Sequence, residues 1–220
     1  MENKKKQFAV IGLGRFGTSV AMTLQSLGHE VLAIDSAEEQ VQKLSEVVTH
    51  VVQADTTDEN SLKELGLRNF DAVVVAIGED VQANVATTLL LKEMGIPFII
   101  AKAKNALHGK MLEKIGADRV VYPERDMGLR VAHGLVSANV LDYIELSPSL
   151  SLVEVTAPNS FFGKTLAETD LRALYGVNVV AIKRFEDLIV PPQPNELISD
   201  GDILIVIGAK DGIHRIEALG

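Results

Sequence analysis

The fold of this chain is decided by the stretch Val10-Ile11-Gly12-Leu13-Gly14-Arg15-Phe16-Gly17. An apolar run enters it, a helical pattern leaves it, and the next apolar run ends at Asp35, which predicts a strand, a glycine turn, a helix and a strand. In such a turn Gly12 permits the sharp bend, Gly14 leaves room for a pyrophosphate, and Gly17 lets the helix pack close to the strand. The phosphates would face the unpaired N–H groups at the helix start. The stretch therefore predicts nucleotide binding.

Two charged residues bear on which nucleotide binds. Asp35 follows Gly17 by about 18 residues, a spacing at which a carboxylate accepts hydrogen bonds from a ribose diol and repels a 2′-phosphate. NADP is therefore disfavoured. Arg15, on the first turn of the helix, can hold terminal phosphates with two hydrogen bonds, which makes ATP or ADP a competitor of NAD. A solvated surface arginine is the alternative interpretation.

Composition excludes several functional classes. The 220 residues are 47% hydrophobic, enough for one large domain or for a larger and a smaller one. The 30 acidic and 21 basic residues give a formal net charge of −9, which argues against a nucleic-acid partner. Cysteine is absent, which excludes disulfides and thiolate metal sites, and the five histidines are scattered. No apolar run reaches the roughly 18 to 20 residues that span a bilayer, so we expect a cytosolic protein.

Most of the chain predicts an α/β fold. From Phe8 to Tyr122, short apolar runs alternate with amphipathic stretches, as in a Rossmann-like, doubly wound parallel sheet. Six strands are predicted, at Phe8–Gly12, Glu30–Asp35, His50–Ala54, Ala72–Ile77, Phe98–Lys102 and Arg119–Tyr122.

Ligands of such sheets bind at the carboxyl ends of the strands. The residues at these ends extend the candidate site by Ser36, Asp55, Thr56, Ile77, Gly78 and Lys102. Within this set, Thr57 or Asp58 is expected to cap the next helix and to leave Asp55 or Thr56 near the adenosine. Ile77-Gly78 offers an apolar wall with close backbone approach. Lys102 suits a phosphate contact, and a plain surface lysine is the alternative.

The pattern changes in the last third of the chain. Apolar positions predict a helix over Met127–Tyr143 with enough apolar surface to dock on another subunit, and Leu146–Ser151 reads as a linker. We predict a nucleotide-binding domain (residues 1–125), a crossover helix and linker (126–146) and a smaller α+β domain (147–220). The strands and the helical turn of this last domain are expected at Leu152–Thr156, Asp170–Tyr175, Val177–Lys183 and Ile203–Ile207.

The sequence lacks the residues that most enzymes of this fold need. The predicted second domain has a single histidine, His214, and no cluster of lysine, histidine and tyrosine for proton transfer. A nucleotide site without such residues indicates a sensor, which is not an enzyme. A compact NAD-dependent oxidoreductase is the alternative. A transcriptional redox sensor would need a DNA-binding helix-turn-helix and a basic face, and neither is visible.

Several stretches resemble one known family. They are Phe8–Gly17, Val75–Gly78, Lys114–Arg119 and Pro123–Gly128, followed in the second domain by Gly163–Leu166, Leu171–Arg184 and Asp200–Asp202. The chain resembles the cytosolic RCK (regulator of potassium conductance, or KTN) subunits of Ktr-type bacterial potassium transporters. The resemblance implies homodimers that assemble into an octameric gating ring, at the inner face of the cell membrane, beneath an integral-membrane potassium-translocating subunit. It also implies that ATP favours the conducting state and ADP the inactive state.

The resemblance implies roles for individual residues as well. The residues that would hold the nucleotide by this resemblance are Gly12, Gly14, Arg15, Gly17, Asp35, Asp55, Ile77, Gly78 and Lys102. Our candidate set for the site adds their neighbours Phe16, Ser36 and Thr56. Arg15 would read the γ-phosphate, and Glu124 matches a position that binds a divalent cation, Mg²⁺ or Ca²⁺, beside ATP. A favourable interaction with the helix dipole is the alternative explanation of Glu124. Family members differ in whether ATP/ADP or NAD(H) is the ligand, and Asp35 suits either.

A second ligand is implied for the C-terminal domain. In several family members the dimer of this domain binds cyclic di-AMP, which shuts transport down. The corresponding positions in this chain are Arg172 and Asn178. Ordinary packing at a small dimer interface is the alternative.

Overall fold

The computed structural model describes residues 5–136, 139–147 and 149–219. The chain divides into two compact units between Pro123 and Glu124. The elements of the first unit are β1 (Gln7–Ile11), α1 (Arg15–Ser26), β2 (Glu30–Asp35), α2 (Glu38–Ser45), β3 (His50–Gln53), α3 (Glu59–Glu64), β4 (Ala72–Val75), α4 (Val81–Glu93), β5 (Ile99–Lys102), α5 (Ala106–Ile115) and β6 (Arg119–Val121).

The strands of the first unit form one parallel sheet in the order β3-β2-β1-β4-β5-β6. This order confirms the doubly wound parallel fold predicted from the sequence. It reverses at β1, where Ile11 lies in register with Ile34 of β2 and with Val75 of β4. The carboxyl ends of these three strands therefore meet, and the crevice at such a reversal is where ligands of open α/β sheets bind.

Strand β4 shows why the strands of this sheet are apolar without alternation. All four of its residues are buried. Val73 and Val75 belong to one hydrophobic cluster and Val74 to another. Since neighbouring side chains on a strand point to opposite faces, both faces of the sheet are covered, as expected for a parallel sheet with helices on both sides.

The second unit is smaller and antiparallel. Its elements are α6 (Pro123–Val136, which begins at the boundary residue), β7 (Val140–Ser147), β8 (Leu150–Thr156), α7 (Leu171–Tyr175), β9 (Val177–Arg184), β10 (Asp187–Ile189), β11 (Ile203–Ala209) and α8 (Lys210–Glu217). The strands form one sheet in the order β10-β9-β11-β8-β7. Over the described ranges, no helix has both the length and the apolar character needed to cross a membrane.

The prediction of one helix over Met127–Tyr143 is wrong. Helix α6 ends at Val136, and β7 pairs with β8 in an antiparallel hairpin. A short apolar run fits helical and strand periods equally well, and here tertiary pairing decides. Tyr143 of β7 is buried, and its hydroxyl lies 2.6 Å from Oγ of Ser151 in β8.

The stretch Leu146–Ser151, predicted above to be a linker, instead includes the end of β7 and the start of β8. β7 ends at Ser147 and β8 begins at Leu150. Serine and proline favour tight turns as much as linkers, so composition alone did not separate the two. Pro148 lies outside the described residues. The boundaries 1–125, 126–146 and 147–220 stay a prediction.

Candidate nucleotide-binding site

The three glycines of the turn between β1 and α1 differ in what surrounds them. Gly12 has a φ of +92°, and a Cβ there would lie 2.8 Å from the backbone nitrogen of Ile77. A Cβ on Gly17 would collide with the carbonyl oxygen of Gly12. In the described part of the chain, no heavy atom beyond the adjoining residues lies within 4 Å of the Cβ position of Gly14. Packing therefore requires glycine at positions 12 and 17, whereas the space above Gly14 is open.

Asp35 lies at the carboxyl end of β2 and is bonded to this turn. Its Oδ2 accepts a hydrogen bond from the Leu13 amide at 2.6 Å, and its Oδ1 accepts one from the Ala37 amide at 2.8 Å. The neighbouring Ser36 is exposed, and its carbonyl accepts a 3.0 Å hydrogen bond from Nε2 of Gln53. The carboxylate thus joins the glycine turn to the loop that follows β2.

A second group of predicted residues meets at the ends of β4 and β5. Nζ of Lys102 lies 3.0 Å from the position that a Cβ on Gly78 would occupy. The same ammonium lies 6.0 Å from the centroid of the Phe16 ring, at the limit of a cation–π contact. Ile77 is partly buried beside Gly78. The ammonium group of Lys102 therefore sits between the first turn of α1 and the Ile77-Gly78 wall.

The predicted residues after β3 have mostly local roles. Asp58 caps α3 by accepting a 2.8 Å hydrogen bond from the Ser61 amide, which confirms one of the two caps expected from the sequence. Hydrogen bonds from the Thr57 hydroxyl (2.7 Å) and amide (2.9 Å) hold the pKa of Asp55 below its ordinary value. Asp55 is exposed and stays ionised at neutral pH.

Thr56 is the one residue of this set whose side chain faces the interior. It is 5% exposed, and its hydroxyl shares a 2.9 Å hydrogen bond with that of Thr87 on α4. Thr87 also donates to the Thr56 carbonyl at 3.1 Å. The structure therefore does not bring the Thr56 hydroxyl to the open edge of the sheet with the other predicted residues.

Asn84 on α4 lies at this site and was not predicted from the sequence. This side chain is fully buried, and its Nδ2 donates to the carbonyl of Ile77 at 2.6 Å and to that of Lys102 at 3.1 Å. A signal was present, because Asn84, Thr87, Thr88 and Leu91 follow helical spacing and all four are buried. Polar residues on the inward face of a helix need partners, and here the partners are strand ends at the candidate site.

The remaining predicted residues belong to the second unit. Glu124 is exposed in the first turn of α6. Arg172 on α7 and Asn178 on β9 are exposed, and between them α7 ends at Tyr175 and is capped by Gly176, which has a φ of +69°. Across the residues described, no group of three or more histidine, cysteine, aspartate or glutamate side chains is arranged to hold a metal ion. Any cation at Glu124 would need ligands from elsewhere, such as phosphate oxygens.

The parallel sheet, the glycine turn and the acid at the end of β2 define a Rossmann-type nucleotide-binding domain, here followed by a small antiparallel domain. Comparison with known proteins agrees with this class. The TrkA-N domain model matches residues 8–123, and the TrkA-C domain model matches residues 150–219.

Relatives are similar over nearly the whole chain. It is 54% identical to Ktr system potassium uptake protein C of Bacillus subtilis (strain 168), over 97% of this chain and 96% of that protein. It is 49% identical to Ktr system potassium uptake protein A of the same organism, over 99% of this chain and 98% of that protein. The chain belongs to this family of Ktr potassium uptake proteins, which confirms the Ktr-type RCK subunit recognised from its motifs.

Solved structures agree on the fold. The GsuK channel superposes with a TM-score of 0.73 at 22% sequence identity, covering 100% of this chain and 40% of the channel chain. The GsuK channel bound to NAD superposes with a TM-score of 0.69 at 21% sequence identity, covering 100% of this chain and 40% of that chain. At these identities the likeness bears on the fold alone.

Proposed function

We propose that this chain is the nucleotide-sensing regulatory subunit of a Ktr potassium transporter and is not an enzyme. The observation that carries the proposal is the open space above Gly14, in a turn whose other two glycines are required by packing. A pyrophosphate can approach the backbone only where no side chain stands in its way. Gly14 is also the N-cap of α1, so the ligand would face the positive end of the helix.

ATP and ADP are the favoured ligands. Arg15 is exposed on the first turn of α1, and the ammonium group of Lys102 lies near Phe16 of the same turn. Two cations next to the helix start favour a ligand with terminal phosphate charge. NAD(H) is the second candidate, because Asp35 suits a ribose diol with either nucleotide and a channel of the same fold has been solved with NAD.

The ligand would act by preferring one conformation of a larger assembly. The assembly we propose is a ring of homodimers, an octamer, bound at the inner face of the membrane to a potassium-translocating subunit. None of the described residues of α6 is buried, and Met127, Val131 and Leu135 are among its exposed apolar side chains. Such a surface supports self-association. Gating then follows from the difference in nucleotide affinity between two states of the ring.

Two further ligands complete the proposal. Glu124 would bind Mg²⁺ or Ca²⁺ together with ATP phosphates, since a single carboxylate and phosphate oxygens suffice for either cation. Cyclic di-AMP would bind to the C-terminal domain through Arg172 and Asn178. Both residues are exposed, and they lie on either side of the C-terminal end of α7.

The test is a calorimetric titration of nucleotide-free protein with ATP, ADP and NADH, with and without Mg²⁺. We expect ATP and ADP to bind more tightly than NADH, Arg15→Gln to weaken ATP most, and Glu124→Gln to abolish the effect of Mg²⁺ on ATP. Arg68→Gln, an exposed arginine after α3, is the matched control. Preferential binding of NADH without any response to Mg²⁺ or to Glu124→Gln would contradict the roles of Arg15 and Glu124. Consumption of NADH in the presence of a carbonyl substrate would favour the alternative function, a compact NAD-dependent oxidoreductase.

A further inference from the structure

We propose that Asn84 is a positioning residue that sets the affinity of this site for phosphate by fixing Lys102. The inference rests on the proposed nucleotide site. Asn84 lies in the first turn of α4 and is fully buried. The NH₂ group of its amide donates one hydrogen bond to the carbonyl of Ile77 and one to that of Lys102. These carbonyls lie at the carboxyl ends of two neighbouring strands, β4 and β5. One side chain thus ties together the two strand ends that face the ligand.

The orientation of this amide is decided by its partners. Both partners are carbonyl oxygens, which only accept hydrogen bonds, so the NH₂ group must face them. Oδ1 has no hydrogen-bond partner among the described residues. An unpaired buried acceptor costs stability. The amide therefore donates to both carbonyls. A serine has only one hydroxyl hydrogen and an apolar side chain has no donor, so neither can replace it.

The ammonium group of Lys102 lies close to the strand end that Asn84 holds. Ile77 precedes Gly78, and Nζ of Lys102 lies 3.0 Å from the Cβ position of Gly78 and 6.0 Å from the Phe16 ring. Because Asn84 holds the backbone of Lys102 at a fixed place beside Ile77, it also fixes the point from which the lysine extends. Lys102 also stays paired with Val121 of β6, so loss of the amide releases the two carbonyls from each other without freeing the strands. The spacing between the ends of β4 and β5 then changes, and the ammonium of Lys102 shifts from its place near the start of α1.

This mechanism predicts a selective effect on binding. Phosphates interact with Lys102 and adenosine does not, so Asn84→Ser should weaken ADP about tenfold and change adenosine affinity by less than about twofold. In a Lys102→Met background, Asn84→Ser should cause no further loss of ADP affinity, because residues that act through one another are not additive. Gln82→Ser, an exposed position in the same helical turn, is the matched control.

A second variant keeps the proposal testable if Asn84→Ser does not fold, as judged by circular dichroism. Asn84→Asp keeps the size of the side chain but places a carboxylate against two carbonyl oxygens. Only its protonated form can donate, and it donates to one carbonyl. We expect its ADP affinity, relative to wild type at the same pH, to rise as the pH falls from 8 to 6.

The outcomes separate the two proposals. If wild-type protein binds neither ATP, ADP nor NADH, the proposed function fails and the role of Asn84 fails with it. If wild type binds ADP but Asn84→Ser weakens ADP and adenosine equally, only the role of Asn84 is overturned. Additive losses in the double variant, or a pH-independent ratio for Asn84→Asp, overturn it as well.

Discussion

The backbone amide of Leu13 donates a 2.6 Å hydrogen bond to the Asp35 carboxylate. The second oxygen of the same carboxylate accepts from the Ala37 amide. The acid expected to bind ribose is therefore also a structural part of the glycine turn. Each carboxylate oxygen has a further lone pair, so one group can hold the turn and accept from a ribose hydroxyl.

Asp35→Ala should therefore lower stability as well as affinity. The Leu13 and Ala37 amides would lose their acceptor, at a cost of about 1–3 kcal/mol in the free energy of unfolding. Asp58→Ala is the control, because it removes the cap of α3 and costs about 1 kcal/mol, but leaves nucleotide affinity unchanged. Urea unfolding and calorimetry measure the two effects. An Asp35→Ala protein as stable as wild type would show that the carboxylate does not hold the turn.

Gly14→Ala should weaken nucleotide binding without unfolding the protein. The φ of Gly14 is −69°, which alanine adopts easily, and the added methyl group enters open space. That space is where the pyrophosphate would lie, so we expect at least about a tenfold loss of ADP affinity, or roughly 1.4 kcal/mol. Gly128→Ala in α6 also meets open space and serves as the control. If Gly14→Ala binds ADP as wild type does, the phosphates lie elsewhere.

Gly17→Ala should behave in the opposite way. Its methyl group would collide with the Gly12 carbonyl and lie 3.1 Å from Cβ of Ala76. The backbone cannot yield as a flexible side chain does, so we expect a loss of about 1–3 kcal/mol or more in the free energy of unfolding. Thermal unfolding without ligand measures it. If the thermal unfolding midpoint of Gly17→Ala equals that of Gly14→Ala, α1 can move away from β1 to accommodate the methyl group.

The sequence predicted the first unit well because its signals are local. Apolar runs give buried parallel strands, the glycine turn gives the β1–α1 geometry, and Asp58 gives a cap. Asn84 escaped prediction because its partners, Ile77 and Lys102, are backbone carbonyls brought to it by the fold. Any residue type has a carbonyl, so the helical spacing of Asn84 with Thr87 and Leu91 marks a shared helix face but does not reveal these partners.

The second unit was harder to predict for a different reason. The stretch Val140–Ile144 is apolar except for Asp142 and fits a helix and a strand alike, so its pairing with β8 is decided by tertiary contacts. The nucleotide preference also could not be predicted from the sequence, because it too depends on tertiary contacts. Asp35 and Arg15 each suit more than one nucleotide, and the choice depends on groups that meet only in the assembled site.

Phe185→Gly should stabilise the isolated chain. Arg184 pairs with Asp187, so Phe185 and Glu186 form a two-residue loop between β9 and β10. Phe185 has a φ of +54° and is 86% exposed, so its backbone is strained and its ring gains little from burial. Glycine adopts this conformation freely, and we expect a gain of about 1 kcal/mol. Leu188→Gly, exposed on β10, should destabilise instead. A lower free energy of unfolding for Phe185→Gly would mean that the ring packs against another molecule.

Asp202 should make stability depend on pH. It is fully buried, which by itself raises its pKa, but hydrogen bonds from Arg184 and from the Ser199 amide outweigh burial and hold the pKa below its ordinary value. The folded state then binds fewer protons than the unfolded state. The stabilisation is complete above the unfolded pKa of about 4 and is lost as the pH falls through the lower folded value.

Asp202→Asn should therefore destabilise the protein at pH 7 and flatten its acid response. Removal of one partner from a buried ion pair costs about 3 kcal/mol here, at the low end of the usual range because the Arg184 side chain is 30% exposed. Asp142→Asn breaks the more exposed pair with Arg130 and should cost about 1 kcal/mol or less. Chemical denaturation at steps between pH 7 and 3 measures both. The wild-type and Asp202→Asn curves should converge as the pH falls, and parallel curves would show that Asp202 does not titrate with unfolding.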